Sequence, residues 1–117
     1  MKLYNSDCLE VMQSIKDSSI DLILCDLPYG CTSCAWDVII PFDKLWEQYK
    51  RIIKENGAIL LFGNEPFSSL LRCSNLEWYK YDINCEKERL TKIQQVKRRV
   101  GKTVETISVF YKKQCTY

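Results

Sequence analysis

The most informative part of the sequence runs Ile20-Asp21-Leu22-Ile23-Leu24-Cys25 and continues Asp26-Leu27-Pro28-Tyr29-Gly30. A short, nearly continuous apolar run is typical of a buried strand in a parallel sheet. The turn-forming residues directly behind it predict that the strand ends in a loop. We therefore expect a buried parallel strand whose carboxyl end carries Asp26.

Helical and strand patterns alternate on both sides of this strand. Upstream, Asp7 and Glu10 form a capping-box-like helix start, and one helix face is apolar: Cys8, Val11, Met12 and Ile15. Downstream, an apolar stripe over 41–55 predicts the longest helix, with Gly57 as its C-terminal stop. The remaining predictions are strands at 58–62, 79–83 and 106–111, a short helix at 66–73, and the end of a strand at 3–5.

This alternation predicts the α/β class, with a parallel-rich sheet and helices on both of its faces. Ligands in such sheets bind beyond the carboxyl ends of the strands. The two loops that matter most are therefore 26–36, after the first strand, and 63–67, after the next.

Composition limits the choice of function. The 117 residues are enough for one domain, and 46% hydrophobic with 27% charged residues is an ordinary globular balance. There is no histidine, and the four glycines are too scattered for a phosphate-binding loop. No apolar run is long enough for a membrane helix or signal peptide, so we expect a cytoplasmic protein. Cys31 and Cys34 form a C-x-x-C without further ligands, which predicts no metal site and favours free thiols.

The net charge of +2 conceals an asymmetry along the chain. Residues 1–85 hold 8 Lys/Arg against 12 Asp/Glu, a net of −4, whereas residues 86–117 hold 9 against 3, a net of +6. A basic cluster of this kind suits a polyanionic partner such as DNA. On charge alone, a solvated basic loop explains it equally well.

The tetrapeptide that starts at Asp26 has the groups needed to activate an exocyclic base amine. Such an amine is a poor nucleophile because its lone pair is delocalised into the ring, and two acceptors aimed at its N–H bonds favour a more nucleophilic nitrogen. Asp26 supplies one acceptor, and the Leu27 carbonyl, held by Pro28, supplies the other. Tyr29 could stack on a base flipped out of its duplex. The alternative at this point is an Asx turn with a buried tyrosine.

A resemblance to a known family rests on several stretches: Asp26-Leu27-Pro28-Tyr29-Gly30, Cys34-Ala35-Trp36-Asp37, Ile40-Pro41-Phe42, the 45–57 helix, Leu61-Phe62-Gly63-Asn64-Glu65-Pro66-Phe67-Ser68-Ser69 and Val109-Phe110-Tyr111-Lys112-Lys113-Gln114. Together they resemble site-specific DNA amino-methyltransferases. The order matches the β-class, in which an Asp-Pro-Pro-Tyr motif precedes the cofactor-binding Phe-x-Gly-x-Gly motif.

The resemblance implies part of a Rossmann-like sheet, S-adenosylmethionine as cofactor and double-stranded DNA as partner. It implies that the catalytic and target-base loop consists of Asp26, Leu27, Pro28 and Tyr29. It places three residues near the cofactor: Asp7, Phe62 and Glu65. The 37–41 loop and the basic 86–104 loop would face DNA, the latter through Lys92, Lys97, Arg98, Arg99 and Lys102. We expect Trp36 to cap the core rather than to face DNA.

Two departures from the family pattern shape the expected function. Leu27 replaces the first proline, which is tolerable because its backbone carbonyl does the work. The chain also ends at Tyr117, before any Phe-x-Gly-x-Gly segment. We therefore expect residues 1–117 to be a single, incomplete catalytic domain that is inactive alone, exposes a strand edge that favours self-association, and relies on a second chain for the cofactor half.

Adenine is the favoured target over cytosine-N4, as part of a restriction-modification system. The first alternative is a non-catalytic remnant from a phage or mobile element that still binds DNA. A more distant one is an α/β binding module unrelated to methyl transfer.

Overall fold

The computed structural model describes residues 1–91 and 102–115 of the chain. In chain order the elements are α1 (Cys8–Gln13), β1 (Ile20–Asp26), α2 (Phe42–Ile52), β2 (Ile53–Gly63), α3 (Phe67–Ser74), β3 (Tyr79–Thr91) and β4 (Lys102–Phe110). Helices and strands alternate as far as β3, and β4 is the last element.

The four strands form one sheet in the order β1-β2-β4-β3. β1 and β2 are parallel, whereas β4 pairs antiparallel with both β2 and β3. The predicted α/β class is confirmed, but the sheet is mixed rather than parallel-rich. Only ten residues separate β3 from β4, which is fewer than a parallel crossover requires, so the two strands pair directly.

The main core cluster lies on one face of the sheet and is built by all three helices of the described residues, and a smaller buried cluster around Val109 lies on the other face. Met12 of α1, Trp46 of α2 and Leu71 of α3 belong to one buried cluster with Ile59 and Phe110 of the sheet. The Trp46 and Phe110 rings lie 4.8 Å apart. The apolar stripes predicted from the sequence therefore do bury against the sheet, and they do so on the same side.

The opposite face carries no helix in residues 1–91 and 102–115, so the expectation of helices on both faces is not met there. Leu22 and Leu24 of β1 are 54% and 59% exposed. Because successive side chains of a strand point to opposite faces, half of the apolar run in β1 faces solvent instead of a core. The expectation of a buried β1 is wrong for this reason.

Several predicted boundaries also shift. α2 ends at Ile52 and Gly57 lies inside β2, because the chain turns directly from helix to strand. A side chain at Gly57 would come within 2.9 Å of the Asp21 backbone oxygen, so the glycine permits close strand approach rather than a helix stop. Residues 3–5 form no strand. None of the described helices has the length and apolar character needed to cross a membrane.

Candidate active site

The carboxyl ends of β1 and β2 meet at one edge of the sheet. Asp26, the last residue of β1, has Phe62 as its Cα partner on β2. Beyond this edge lies a cavity of about 400 Å³, which we call the target cavity. Its lining residues are Asp26, Leu27, Pro28, Tyr29, Cys31, Thr32, Trp36 and Asp37. All four residues predicted for the catalytic loop therefore line one cavity.

Asp26 and Tyr29 are linked inside this loop. The Tyr29 hydroxyl donates a hydrogen bond to Oδ1 of Asp26. Burial, followed by the Asp26 carboxylate, raises the pKa of Tyr29, so the hydroxyl stays a neutral donor at physiological pH. The Tyr29 ring packs 5.0 Å from the ring of Phe67 at the start of α3. The tyrosine thus orients the carboxylate and is itself held by the helix that follows β2.

Leu27 and Pro28 make the backbone between these two residues stiff. The Leu27 side chain is buried in the main core cluster. Pro28 fixes its own φ and restricts Leu27 to extended conformations. A loop anchored by a buried leucine and stiffened by a proline suits the precise placement of a backbone carbonyl.

Asp37 closes the loop that follows, a role that the sequence reasoning missed. Oδ1 of Asp37 accepts from the Gly30 amide at 2.8 Å, and Oδ2 accepts from the Cys31 and Thr32 amides at 2.9 and 2.7 Å. Gly30 has φ +65°, which lets the chain turn toward the carboxylate. The Thr32 side chain and these amides lower the pKa of Asp37 to about 2. A signal was present in the sequence, since an aspartate shortly after a glycine turn is a candidate acceptor for the turn's amides.

A second cavity of about 320 Å³ adjoins the same loop. It shares Pro28 and Trp36 with the target cavity. Its other lining residues are Asp7, Cys8, Leu9, Ala35, Val38, Ile39, Ile40 and Pro41. Asp7 caps α1, with Oδ1 accepting from the Leu9 amide at 2.8 Å. One of the three residues predicted near the cofactor therefore lines a cavity adjacent to the catalytic loop.

Phe62 and Glu65, the other two residues predicted near the cofactor, line neither of these cavities. Phe62 neighbours Asp26 in the strand register. The Glu65 carboxylate accepts from the Ser69 hydroxyl at 2.6 Å and pairs with Arg72. These hydrogen bonds, that of Ser69 first, lower the pKa of Glu65. Both residues lie at the carboxyl end of β2, but Glu65 is turned toward α3.

Trp36 does not cap the core as expected, because its side chain is 73% exposed. It lies on the loop between β1 and α2, away from the helix stripe that forms the core. The predicted DNA-facing loop 86–104 is also corrected in part, because 86–91 belong to β3 and 102–104 to β4. Of the predicted DNA-binding residues, Lys92, Lys97, Arg98 and Arg99 lie outside the described residues, and Lys102 begins β4.

No protein-family model matches the chain. Among solved structures, the chain is similar to PvuII DNA methyltransferase (cytosine-N4-specific), with a TM-score of 0.73, 15% identity, and coverage of 96% of this chain and 49% of that one. It is also similar to M1.HpyAVI in complex with SAM, with a TM-score of 0.68, 18% identity, and coverage of 95% and 56%. TTHA0409 from Thermus thermophilus, named as a DNA modification methylase, gives a TM-score of 0.64, 18% identity, and coverage of 95% and 52%.

These similarities establish the fold. The mixed sheet with its helices is the α/β fold of these three proteins. The chain spans about half the length of the structures that it matches.

Proposed function

We propose that this chain is the target-base half of a DNA methyltransferase that methylates the exocyclic amine of adenine or cytosine. The observation that carries the proposal is the placement of Asp26. Its carboxylate lies at the carboxyl end of a parallel strand, on a cavity of about 400 Å³, next to a proline-stiffened backbone. Both N6 of adenine and N4 of cytosine offer two N–H donors to such an arrangement, so the proposal covers both amines.

The chemistry follows from the groups around the cavity. Asp26 accepts a hydrogen bond from one amine N–H, and the Leu27 carbonyl accepts from the other. S-adenosylmethionine, when bound, would supply the methyl group to the amine nitrogen and keep the electron pair of the broken sulfur–carbon bond, and Asp26 would hold the proton that the nitrogen loses. Tyr29 donates to Asp26 and keeps the carboxylate oriented. Preorganised polar groups of this kind are worth about 10²–10³ in rate.

S-adenosylmethionine fits the second cavity in part. Asp7 uses one carboxylate oxygen to cap α1, and the carboxylate retains capacity to accept from a ribose hydroxyl. Leu9, Val38 and Ile40 give apolar walls for an adenine ring. When bound, the cofactor supplies an electrophilic methyl group on a sulfonium sulfur. Phe62 and Glu65 remain proposals for the part of the cofactor beyond this cavity.

A second polypeptide completes the cofactor site in this proposal. Leu22 and Leu24 are exposed at the β1 end of a sheet face whose other end is covered by the smaller cluster around Val109, so they offer an apolar surface beside Asp26 to a partner. β1 is also an edge strand of the described sheet, with one side available for pairing. A partner that covers this face and pairs with this edge would reach the carboxyl end of β1. Self-association through the same surface is the expected behaviour of the chain alone.

DNA would contact both the target cavity and the basic residues. The residues proposed for phosphate contact are Lys92, Lys97, Arg98, Arg99 and Lys102. Phosphate contacts fix the position of a protein on DNA, whereas the cavity selects the base.

The test of this function is binding of labelled duplex DNA by the 117-residue chain, followed by fluorescence anisotropy at low and moderate salt. We expect binding that weakens steeply with salt, and an Asp26→Ala variant with unchanged affinity because Asp26 contacts no phosphate. Absence of binding at low salt would favour the unrelated α/β binding module. DNA binding without methyl transfer after a second polypeptide is supplied would favour the non-catalytic remnant.

A further inference from the structure

The loop between β1 and α2 is held in one shape by a single side chain. The Asp37 carboxylate accepts hydrogen bonds from three successive backbone amides, at 2.7 to 2.9 Å. The Asp37 amide in turn donates to the Cys34 carbonyl at 3.0 Å. Hydrogen bonds to Asp37 therefore hold residues 30–37 together as one closed loop.

Trp36, which precedes Asp37 in this loop, is a tryptophan that does not pack in the core. Trp36 is 73% exposed, whereas Trp46 and Trp78 are buried in the core. Trp46 also donates its indole N–H to the Ser74 hydroxyl at 2.7 Å. A tryptophan buries a large apolar area when it acts structurally, so an exposed one on a pinned loop has no packing role to explain it.

The position of Trp36 indicates what it contacts. It lines the target cavity together with Asp26, and it also lines the second cavity. The other aromatic residue of the target cavity, Tyr29, is already committed, since its ring packs against Phe67 and its hydroxyl binds Asp26. Asp26 can bind the edge of a planar base, and Trp36 provides an aromatic face for the same cavity.

We infer that Trp36 is the stacking surface for the nucleobase that enters the target cavity. Asp37 is its positioning residue, because the hydrogen bonds of Asp37 hold the loop that carries Trp36. This inference rests on the proposed function, since it assigns a contact to a DNA base at the proposed catalytic site. Stacking of a base on an aromatic side chain is tolerant of base identity, so Trp36 contributes affinity rather than sequence recognition.

The experiment compares two labelled oligonucleotides of equal length. One is single-stranded and carries adenine and cytosine, so that its bases are unpaired, and the other is abasic and offers only the sugar-phosphate backbone. Binding to the full chain is measured by anisotropy, with tryptophan emission recorded in parallel. The wild-type chain should bind the base-containing strand about 5- to 150-fold more tightly than the abasic one, the range expected for one stacked base.

The variants separate stacking from other causes. Trp36→Ala should remove the preference for bases while leaving affinity for the abasic strand unchanged, and Trp36→Phe should retain most of the preference. Leu76→Ala is the matched control, because Leu76 is an exposed apolar side chain, 66% accessible, that lines neither cavity. Asp37→Asn should reduce the preference without altering abasic binding. Thermal midpoints of Trp36→Ala and wild type should agree, because the side chain packs little of its surface.

The outcomes distinguish this inference from the proposed function. If neither oligonucleotide binds at low salt, the proposed function is wrong and the inference is wrong with it. If both bind equally to the wild-type chain, or if Trp36→Ala keeps the preference for bases, the assignment of Trp36 alone is overturned. A Trp36→Ala variant with a clearly lower thermal midpoint would also overturn it, by showing a structural role.

Discussion

The close approach of β2 to α3 can be tested with an alanine at Gly63. A Cβ added at Gly63 would lie well under 3.0 Å from the Ser68 hydroxyl oxygen and 3.4 Å from the Ser68 Cβ. Ser68 is fully buried, and its hydroxyl has no hydrogen-bond partner in the described residues. The steric clash is therefore between the added methyl group and the Ser68 hydroxyl. It lies next to Phe67, whose ring supports Tyr29.

The size and sign of the effect follow from two opposing terms. Alanine is favoured over glycine within a strand by about 0.5–1 kcal/mol, because glycine loses more conformational freedom on folding. Overpacking a buried site costs about 1–3 kcal/mol. We expect Gly63→Ala to destabilise the chain by about 0.5–2 kcal/mol. In a Ser68→Ala background the contacts that remain are 3.4 Å to Cβ and 3.5 Å to Cα, which are ordinary van der Waals distances, so the same change should become stabilising by about 0.5 kcal/mol.

Urea denaturation of the wild type, both single variants and the double variant provides the measurement. Ser68→Ala alone should be neutral or stabilising, because it removes a buried hydroxyl that lacks a partner among the described residues. The reasoning is refuted if Gly63→Ala costs the same in both backgrounds. That result would mean that the cost comes from the strand backbone and not from Ser68.

Three further predictions concern the site and its partner. The basic residues proposed to contact phosphate are Lys92, Lys97, Arg98, Arg99 and Lys102. Neutralising any one of them should lower the slope of log K for DNA binding against log salt concentration by about 0.9. A slope that is unchanged after two replacements would mean that these residues are solvated and contact no phosphate. The folded-state pKa of Asp37 is about 2, below its ordinary value of 3.8, so its stabilising contribution is present above about pH 4 and is lost as pH falls toward 2. The difference in unfolding free energy between wild type and Asp37→Asn should therefore shrink over that interval, and a difference that stays constant down to about pH 2 would contradict the assignment. Tyr29→Ala should change the 2-aminopurine signal of a target base on complex formation, because Tyr29 orients the Asp26 carboxylate in the target cavity, and an unchanged signal would count against that orienting role.

Local patterns along the chain were sufficient to predict much of this fold. The Asp7 cap and the apolar stripe after it predicted α1, and the stripe over 41–55 predicted α2 up to its last turn. Two apolar runs that pair in parallel end at the same edge of the sheet. Asp26 lies at that edge and lines a cavity. The helices depend on residues close in sequence, and the parallel pairing of β1 with β2 follows from the helix that connects them, which is why the sequence alone could reveal these features.

Features that depend on distant contacts were not predictable in this way. The burial of β1 was overestimated, because an apolar run does not reveal whether both faces of its sheet are covered. The antiparallel pairing of β3 with β4 depends on which strands become neighbours in the sheet. The tendency of aromatic residues to bury favours the core for Trp36, and only the structure shows that its side chain is exposed to solvent. The shape of the loop comes from Asp37, and the sequence signal for it, an aspartate after the turn at Gly30, does not show which backbone amides the carboxylate accepts from.

The most direct measurement is tritium transfer from labelled S-adenosylmethionine to mixed-sequence DNA, with separation of the labelled nucleosides. It compares the 117-residue chain alone with the chain plus a second polypeptide that carries a Phe-x-Gly-x-Gly segment. We expect no transfer by the chain alone, transfer to N6 of adenine or N4 of cytosine by the pair, and a loss of about 10²–10³ with Asp26→Ala. Label at another atom, or more than a tenth of the wild-type rate in Asp26→Ala, would contradict the role of Asp26. Robust transfer by the chain alone would contradict the need for a second polypeptide.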